Sequence, residues 1–179
     1  MIALKKKAIV ASIAALAAGC ATMRDMMPSS ARTMATASLS PTTGNTARGT
    51  VAFTQDGHEV RVRASVSGLK PNAEHGFHVH EKGDCSSGDG MSTGGHFNPA
   101  GKPHGSPATA HHAGDMPSLK ADASGNASAS FELKGVSIGT GAADLVGKGV
   151  IVHRDPDDYA TQPTGNAGPR IACGVIAKS

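Results

Sequence analysis

The chain has 179 residues, which is enough for one domain with its own hydrophobic core. Its 23 glycines, 10 prolines and single tyrosine, with no tryptophan, suit short strands joined by many turns and argue against a helical bundle. The formal net charge is +3, but three lysines lie in the first 19 residues, and without them 17 − 3 = 14 basic residues face 14 acidic ones. A chain so close to neutral gives no support for a nucleic-acid partner.

The first 19 residues have the features of a secretory signal. Lys5, Lys6 and Lys7 form a positively charged start, and the apolar stretch AIVASIAALAA, residues 8–18, is too short to span a bilayer comfortably. We therefore expect residues 1–19 to direct export and to be absent from the mature protein.

The stretch LAAGC, residues 16–20, resembles a bacterial lipobox, in which the cysteine is lipidated and becomes the new N-terminus. That pattern prefers leucine three residues before the cysteine, where this chain has Ala17. The alternative is an ordinary cleaved signal in front of an incidental cysteine. We favour lipidation of Cys20, which predicts a lipoprotein anchored to a membrane of the bacterial periplasm.

The cysteine count supports this interpretation. If Cys20 takes a lipid, Cys85 and Cys173 remain as an even pair in an exported protein, and such a pair most often forms a disulfide. The alternative is two separate buried thiols.

Residues 20–33 lack apolar periodicity and are predicted to be a flexible tether. Three methionines in it, Met23, Met26 and Met27, and Met34 just after it, carry thioethers of the kind that hold Cu(I). A tail that captures copper is one interpretation, and a linker that happens to contain methionine is the favoured one.

From about Met34 the chain has the alternation of β-structure. The clearest strand, HEVRVRASV at residues 58–66, has two distinct faces. One face carries Val60, Val62, Ala64 and Val66, and the other carries Arg61, Arg63 and Ser65. Further strands are predicted at residues 50–53, 77–81, 127–134, 148–153 and 171–177. Many short strands between glycine-rich turns, without an amphipathic helix, predict an all-β domain over residues 34–179, built as a sandwich or flattened barrel.

Two long segments do not fit strands: residues 83 to about 119, and residues 154–170. Loops of this length in a compact domain are usually functional, and these two hold most of the polar chemistry.

The stretch HGFHVHEKGDC, residues 75–85, contains the first candidate site. On a strand, residues i and i+2 point to the same face, so His78 and His80 project together while Phe77 and Val79 turn into the core. Two neighbouring imidazoles suit a transition metal such as copper or zinc.

Four more motifs follow in the chain: GGHFNPAGKPHG with His96 and His104, HHAGD with His112 and Asp115, GVIVHRDPDD with His153, and TGNAGPRIACGVI with Arg170 and Cys173. Together with GFHVHEKGD, and in this order, they resemble the copper–zinc superoxide dismutase family. The resemblance runs from about residue 34 to the end of the chain. The short segment between His153 and Arg170 and the longer one between Cys85 and His96 resemble the bacterial periplasmic members.

The resemblance implies a Greek-key barrel and a two-metal site. The copper ligands it implies are His78, His80, His96 and His153, and the zinc ligands are His96, His104, His112 and Asp115, with His96 bridging the two metals as an imidazolate. His111 adjoins His112, but Asp115 lies three residues after His112, which makes His112 the implied zinc ligand. His111 is therefore expected to be solvated. His75 is expected to be structural or to support a ligand, and His58 to lie in a turn.

The resemblance also implies roles around the metals. Copper would cycle between Cu(II) and Cu(I), and His96 would leave copper on reduction and carry a proton to the peroxide product. Asp157 would hydrogen-bond the free nitrogens of His78 and His104 and so link the two sites. Arg170 would draw superoxide towards copper. A disulfide between Cys85 and Cys173 would tie the first long loop to the last strand beside Arg170.

These residues predict an enzyme that converts superoxide to dioxygen and hydrogen peroxide in the cell envelope. A second hypothesis is a periplasmic metal carrier or copper buffer on the same fold, but the complete zinc set and Arg170 favour catalysis. A third, a structural envelope lipoprotein, leaves the ligands unexplained. A homodimer is possible for the family, and its interface is not readable from one chain.

Overall fold

The structure is a computed structural model that describes residues 32–179. The predicted signal segment, the predicted lipidation site at Cys20 and the methionines of the predicted tether up to Met27 lie outside the described residues. Within residues 32–179 no helix has the length and apolar character needed to cross a membrane.

The described part of the chain is built from ten strands and a single 3₁₀ turn at Met91–Thr93. The longer strands are β1 (Met34–Pro41), β2 (Arg48–Asp56), β3 (Glu59–Ser67), β7 (Ala127–Lys134), β8 (Gly149–His153) and β9 (Arg170–Val175). The shorter ones are β4 (Glu74–His75), β5 (Phe77–His80), β6 (Leu119–Lys120) and β10 (Ala177–Lys178).

The strands form one antiparallel sheet in the order β5-β8-β9-β1-β2-β3-β7, with β10 beside β1 and a separate β4–β6 pair. The sheet is curled, since its first and last strands come into contact: the rings of Phe77 in β5 and Phe131 in β7 pack in a T-shaped arrangement with centroids 6.5 Å apart. Consecutive strands β1, β2 and β3 are neighbours, whereas β5 lies at the opposite edge beside β8. The fold is therefore an all-β Greek key, as the sequence predicts.

The alternation of apolar and polar side chains along β3 places one face of this strand in the hydrophobic core. Val60, Val62, Ala64 and Val66 are all buried, and Arg61 pairs outside with Asp56 and Glu132. In β5 the alternation separates two environments: Phe77 and Val79 belong to the hydrophobic core, whereas His78 and His80 face away from it. All four are buried because a loop covers the outer face of this strand.

The covering loop, residues 81–118, also hydrogen-bonds the free edge of β5. Val79 N–H donates to Gly114 O at 2.9 Å and its carbonyl accepts from Phe97 N–H at 2.8 Å. Glu81 N–H donates to Gly95 O at 3.0 Å just beyond the strand. The second long loop, residues 154–169, lies between β8 and β9. Because β5 and β8 are antiparallel, the two loops leave this strand pair at opposite ends, the first after His80 and the second after His153.

Candidate metal centre

Strand pairing brings the first three histidines together. β5 and β8 are antiparallel neighbours with His78 opposite Ile151 and His80 opposite Gly149. His153 ends β8, and its N–H donates to Gly76 O just before β5 at 2.8 Å. The three imidazoles thus lie on one face of two adjacent strands.

The first long loop, residues 81–118, supplies the remaining candidate metal ligands. His96 forms an isolated bridge with His80, and Asp115 forms one with His78, so both are placed by backbone pairing with β5. Two sets of possible ligand atoms result, and within each set the atoms lie within 4.8 Å of one another. The first set is His78, His80, His96 and His153, and the second is His96, His104, His112 and Asp115. His96 is common to both.

The second nitrogen of most of these imidazoles is held by a hydrogen-bond acceptor. His80 Nδ1 lies 2.9 Å from Gly94 O, and His153 Nδ1 lies 3.0 Å from Gly168 O. His78 Nε2 lies 2.7 Å from Asp157 Oδ2. Because carbonyl and carboxylate oxygens only accept, these nitrogens carry the protons and the opposite nitrogens keep lone pairs.

Those opposite nitrogens are buried and make no hydrogen bond among the described residues, although His104 Nδ1 and His112 Nδ1 lie 3.1 Å and 3.4 Å from the carboxylate oxygens of Asp115. They are His78 Nδ1, His80 Nε2, His96 Nε2 and His153 Nε2 in the first set, and His104 Nδ1 and His112 Nδ1 in the second. A buried polar atom without a partner costs about 1–3 kcal/mol, and six of them converging in two groups fit two cations. The first set, with four imidazoles, suits copper, and the second, three imidazoles and a carboxylate, suits a closed tetrahedral zinc site.

Asp115 organises the second set. Its Oδ1 lies 2.8 Å from the ring Nδ1 of His96. Its Oδ2 accepts hydrogen bonds from the backbone N–H of His112 at 2.9 Å and from the backbone N–H of Gly105 at 3.2 Å. Burial raises the pKa of Asp115, but the hydrogen bond with His96 and the charge of His104 outweigh it and bring the pKa to about 2. The carboxylate is therefore ionised and available to a metal at neutral pH.

Three histidines of the first set, His78, His80 and His153, are held in the neutral, ligating form. Burial lowers the pKa of His78 and of His80 well below the usual value, and the neighbouring His96 adds to the effect. Burial also lowers the pKa of His153 to about 4, against the opposing hydrogen bond to Gly168. Neutral imidazole is the state that binds a transition metal.

Asp157 connects the two sets. Its carboxylate lies 2.7 Å from His78 Nε2 and 2.9 Å from His104 Nε2, and Oδ1 also accepts the Tyr159 N–H at 2.7 Å. Gly165 makes room for this arrangement, since a Cβ there would overlap the Asp157 carboxylate. One buried carboxylate thus fixes a histidine of each set.

Arg170 begins β9 and is half-buried beside the first set. Its Nη1 donates to Gly90 O at 2.6 Å and Thr93 Oγ1 at 2.8 Å, and its Nη2 donates to Gly94 O at 2.7 Å. Gly94 O is also the acceptor for His80, so the guanidinium and a possible copper ligand share one carbonyl. Burial lowers the pKa of Arg170, although not enough to remove its charge.

Cys85 and Cys173 form a disulfide, with Cα atoms 5.9 Å apart. It joins the first loop to β9 three residues from Arg170. His58 is exposed in the β2–β3 turn, as the sequence analysis expects. His111 is only half-buried rather than fully solvated, with Nδ1 2.6 Å from Thr109 O, and it belongs to neither ligand set.

Sequence reasoning missed Gln162. Its side-chain amide pairs with the backbone of His104 in both directions: Oε1 accepts the His104 N–H at 2.8 Å, and Nε2 donates to His104 O at 2.9 Å. It also missed Tyr159, whose hydroxyl accepts the Ser118 N–H at 2.8 Å and so joins the two long loops. A glutamine or tyrosine in a long loop carries no pattern that signals such contacts.

Comparisons with known proteins agree with this geometry. The model of the family described as "Copper/zinc superoxide dismutase (SODC)" matches residues 47–176. The "Superoxide dismutase [Cu-Zn]" of Paramecium bursaria Chlorella virus 1 is 41% identical over 136 residues, which is 72% of this chain and 72% of the relative.

Solved structures are also similar. A double mutant of a SOD-like protein from Bacillus subtilis matches with a TM-score of 0.71 and 36% identity, covering 79% of this chain and 96% of that one. The clock protein EA4 matches with a TM-score of 0.74 and 40% identity, covering 82% and 94%.

Proposed function

We propose, since the chain belongs to the copper/zinc superoxide dismutase family, that it dismutes superoxide by redox cycling of copper in a bacterial cell envelope. Membership makes the chain an enzyme, a superoxide dismutase whose cofactors are copper and zinc. The observation that carries the proposed chemistry is the position of His96 in both ligand sets.

The copper held by His78, His80, His96 and His153 would supply the one-electron chemistry, because imidazole serves both Cu(II) and Cu(I). Two superoxide anions and two protons then give one dioxygen and one hydrogen peroxide. Zinc in the second set would be redox-inert and structural, since a three-histidine, one-aspartate site leaves no open position.

His96 can hold one of the protons. Its Nδ1 faces Asp115, 2.8 Å away, in the zinc set, while its Nε2 faces the copper set without another partner in the described residues. A proton held at Nε2 is therefore next to the place where peroxide forms. Asp115 would keep His96 oriented while Nε2 gains and loses its proton, and Gln162 would hold the backbone of the neighbouring ligand His104.

Arg170 acts on the substrate. Three hydrogen bonds to residues 90–94 fix its guanidinium beside His80, so its charge is held in one place. A fixed cation next to a redox metal attracts and orients a small anion such as superoxide. The shared Gly94 carbonyl keeps this charge at a constant position relative to the copper ligand.

Elemental analysis coupled to a superoxide-decay assay tests the enzymatic proposal. The fully loaded protein should contain copper and zinc in equal amounts and should accelerate decay, and loss of activity on copper removal should be reversed by copper alone. Zinc without copper under copper-replete conditions would contradict the redox mechanism.

The envelope location rests on the sequence of residues 1–20. A positively charged start, an apolar stretch and LAAGC support export and lipidation of Cys20. Mass spectrometry of the N-terminal peptide from membrane fractions should show an acylated Cys20. A free N-terminus downstream, on protein released from membranes, would indicate ordinary cleavage.

A further inference from the structure

The guanidinium of Arg170 is held by three oxygens, and one of them belongs to a side chain. Gly90 O and Gly94 O are main-chain carbonyls, whereas the third acceptor is the hydroxyl of Thr93. A main-chain carbonyl is present whatever the residue, but the third acceptor exists only because residue 93 carries a hydroxyl. The anchoring of Arg170 therefore depends on the residue type at this one position.

Thr93 holds the guanidinium twice, directly and through Gly90. Its Oγ1 accepts a hydrogen bond from Arg170 Nη1 at 2.8 Å and donates one to Gly90 O, which is also 2.8 Å away. Gly90 O is the other acceptor of Nη1, at 2.6 Å. One hydroxyl thus directs both N–H groups of Nη1, because it is the acceptor for one of them and fixes the acceptor of the other.

Packing keeps the hydroxyl of Thr93 in this orientation. The side chain is fully buried, and its methyl lies against Gly149, where an added Cβ would be 2.9 Å from Thr93 Cγ2. The carbonyl of Thr93 accepts the Lys82 N–H at 3.0 Å, which fixes the main chain as well. The turn also packs on the aliphatic part of Arg170, since a Cβ at Gly90 would be 3.3 Å from Arg170 Cβ and Cδ.

We propose that Thr93 is a positioning residue for superoxide capture: its hydroxyl fixes the direction of the Arg170 guanidinium and so sets how strongly a small anion is drawn to copper. The inference rests on the proposed function, since this direction matters only where an anion has to reach copper. Arg170 lines a surface depression of about 330 Å³, and its Nε–H and one Nη2–H have no acceptor among the described residues. A guanidinium that is already fixed loses little freedom when it donates these groups to an anion.

The first test observes Arg170 itself in Thr93→Val, which keeps the shape of the side chain and removes the hydroxyl. The copper- and zinc-loaded protein is reduced so that copper is diamagnetic, and the side-chain nitrogens of Arg170 are followed by NMR. In the parent, Nη1 and Nη2 should give separate signals, because hydrogen bonds on both hinder rotation of the guanidinium. In Thr93→Val these signals should broaden or merge, and Thr93→Ser, which keeps the hydroxyl, should retain the parental pattern.

The second test measures the capture of an anion, with azide added to the oxidised protein and the visible absorption of copper as the readout. Thr93→Val should weaken azide binding by about threefold to tenfold, the equivalent of one hydrogen bond that orients the cation. Thr93→Ser should restore most of the affinity. The copper and zinc contents should be the same in all variants, since Thr93 belongs to neither ligand set.

Thr42→Val is the matched control. Thr42 is also buried, and its Oγ1 donates to the carbonyl oxygen of Arg170 at 2.7 Å, so it holds the main chain of Arg170 but not the guanidinium. This variant should lose stability to unfolding and still keep the parental Arg170 signals and azide affinity. Equal changes in Thr42→Val and Thr93→Val, or parental signals and affinity in Thr93→Val, would overturn the proposal. Neither measurement uses superoxide, so a parent protein without dismutase activity would count against the proposed function and not against the role of Thr93.

Discussion

Substitution of Arg170 separates the charge of this residue from its structural contacts. Its guanidinium makes three hydrogen bonds to residues 90–94, and it is also the fixed cation beside His80. Arg170→Ala removes both the bonds and the charge. Arg170→Lys keeps the charge but cannot reproduce the planar fork, and Arg170→Glu reverses the charge.

The structural cost of Arg170→Ala is moderate, because two of its three acceptors keep other donors. Gly90 O also accepts from the Thr93 N–H and hydroxyl, and Gly94 O also accepts from His80 Nδ1. Thr93 Oγ1 loses its donor but still donates to Gly90 O, so each of the three lost hydrogen bonds contributes about 1 kcal/mol, or about 3 kcal/mol in total. The metals should remain bound, since no ligand changes.

The kinetic cost is worked from Coulomb attraction. A unit charge about 4 Å from superoxide contributes about 1 kcal/mol in water and about 4 kcal/mol in a protein-like surrounding. Arg170 is half-buried and lies between these limits. Its removal should therefore slow superoxide decay by roughly fivefold to several hundredfold, with Arg170→Lys between the parent and Ala and with Arg170→Glu slowest.

The assay follows superoxide decay after a fast radical pulse over a series of salt concentrations. The parent rate should fall with added salt, and the rate of Arg170→Ala should respond less, because the screened attraction is gone. Asp89→Asn is the matched control, because Asp89 lines the same surface depression as Arg170. The asparagine Oδ1 can still accept the hydrogen bonds from Ser87 and Met91. Loss of the negative charge alone should raise the rate of superoxide decay at low salt. An Arg170→Glu variant as fast as the parent at low salt would refute the steering role.

Three further outcomes follow from the site and its supports. Loss of the disulfide in Cys85→Ser, Cys173→Ser should reduce the free energy of unfolding by about 4–5 kcal/mol for a separation of 88 residues, measured by denaturant titration, and an unchanged midpoint would contradict it. Asp157→Asn should lower zinc affinity about 10- to 100-fold in a chelator competition, since His104 loses a carboxylate partner, and unaltered affinity would exclude that role. In the metal-free protein, burial lowers the pKa of His153 to about 4, whereas the pKa in the unfolded chain is near 6.5. The stability that the neutral imidazole contributes is therefore complete above pH 6.5 and is lost as the pH falls towards 4. Urea unfolding should show about 3 kcal/mol less stability at the acidic end from this group, and equal stability at both ends would be inconsistent with a neutral buried imidazole.

Local periodicity made part of the fold predictable. The two-residue period of β3 placed Val60 and Val62 in the core, and the same rule put His78 and His80 together on the other face of β5. The all-β Greek-key class and the Cys85–Cys173 disulfide are likewise confirmed. These features depend on residues close in sequence or on a family pattern with fixed order.

Contacts between distant loops were not predictable. Residues 135–148 carry no alternation, yet Val136, Ile138 and Leu145 are buried in the core. The β4–β6 pair is two residues long on each side, too short for any period to appear. Gln162 reaches the backbone of His104 across 58 residues, and an amide that pairs with a main chain leaves no signature in sequence.

The loop that carries the zinc set also has a protective role for the sheet. A strand at the end of a sheet offers unpaired N–H and C=O groups to any other extended chain, and natural sheets cover or interrupt such edges. Here the edge of β5 is paired with Gly114 and Phe97, which directly precede Asp115 and follow His96. Ligation that orders these two residues therefore also keeps the edge closed. The same backbone hydrogen bonds that place His96 and Asp115 beside β5 therefore also cover an edge at which another chain could add a strand.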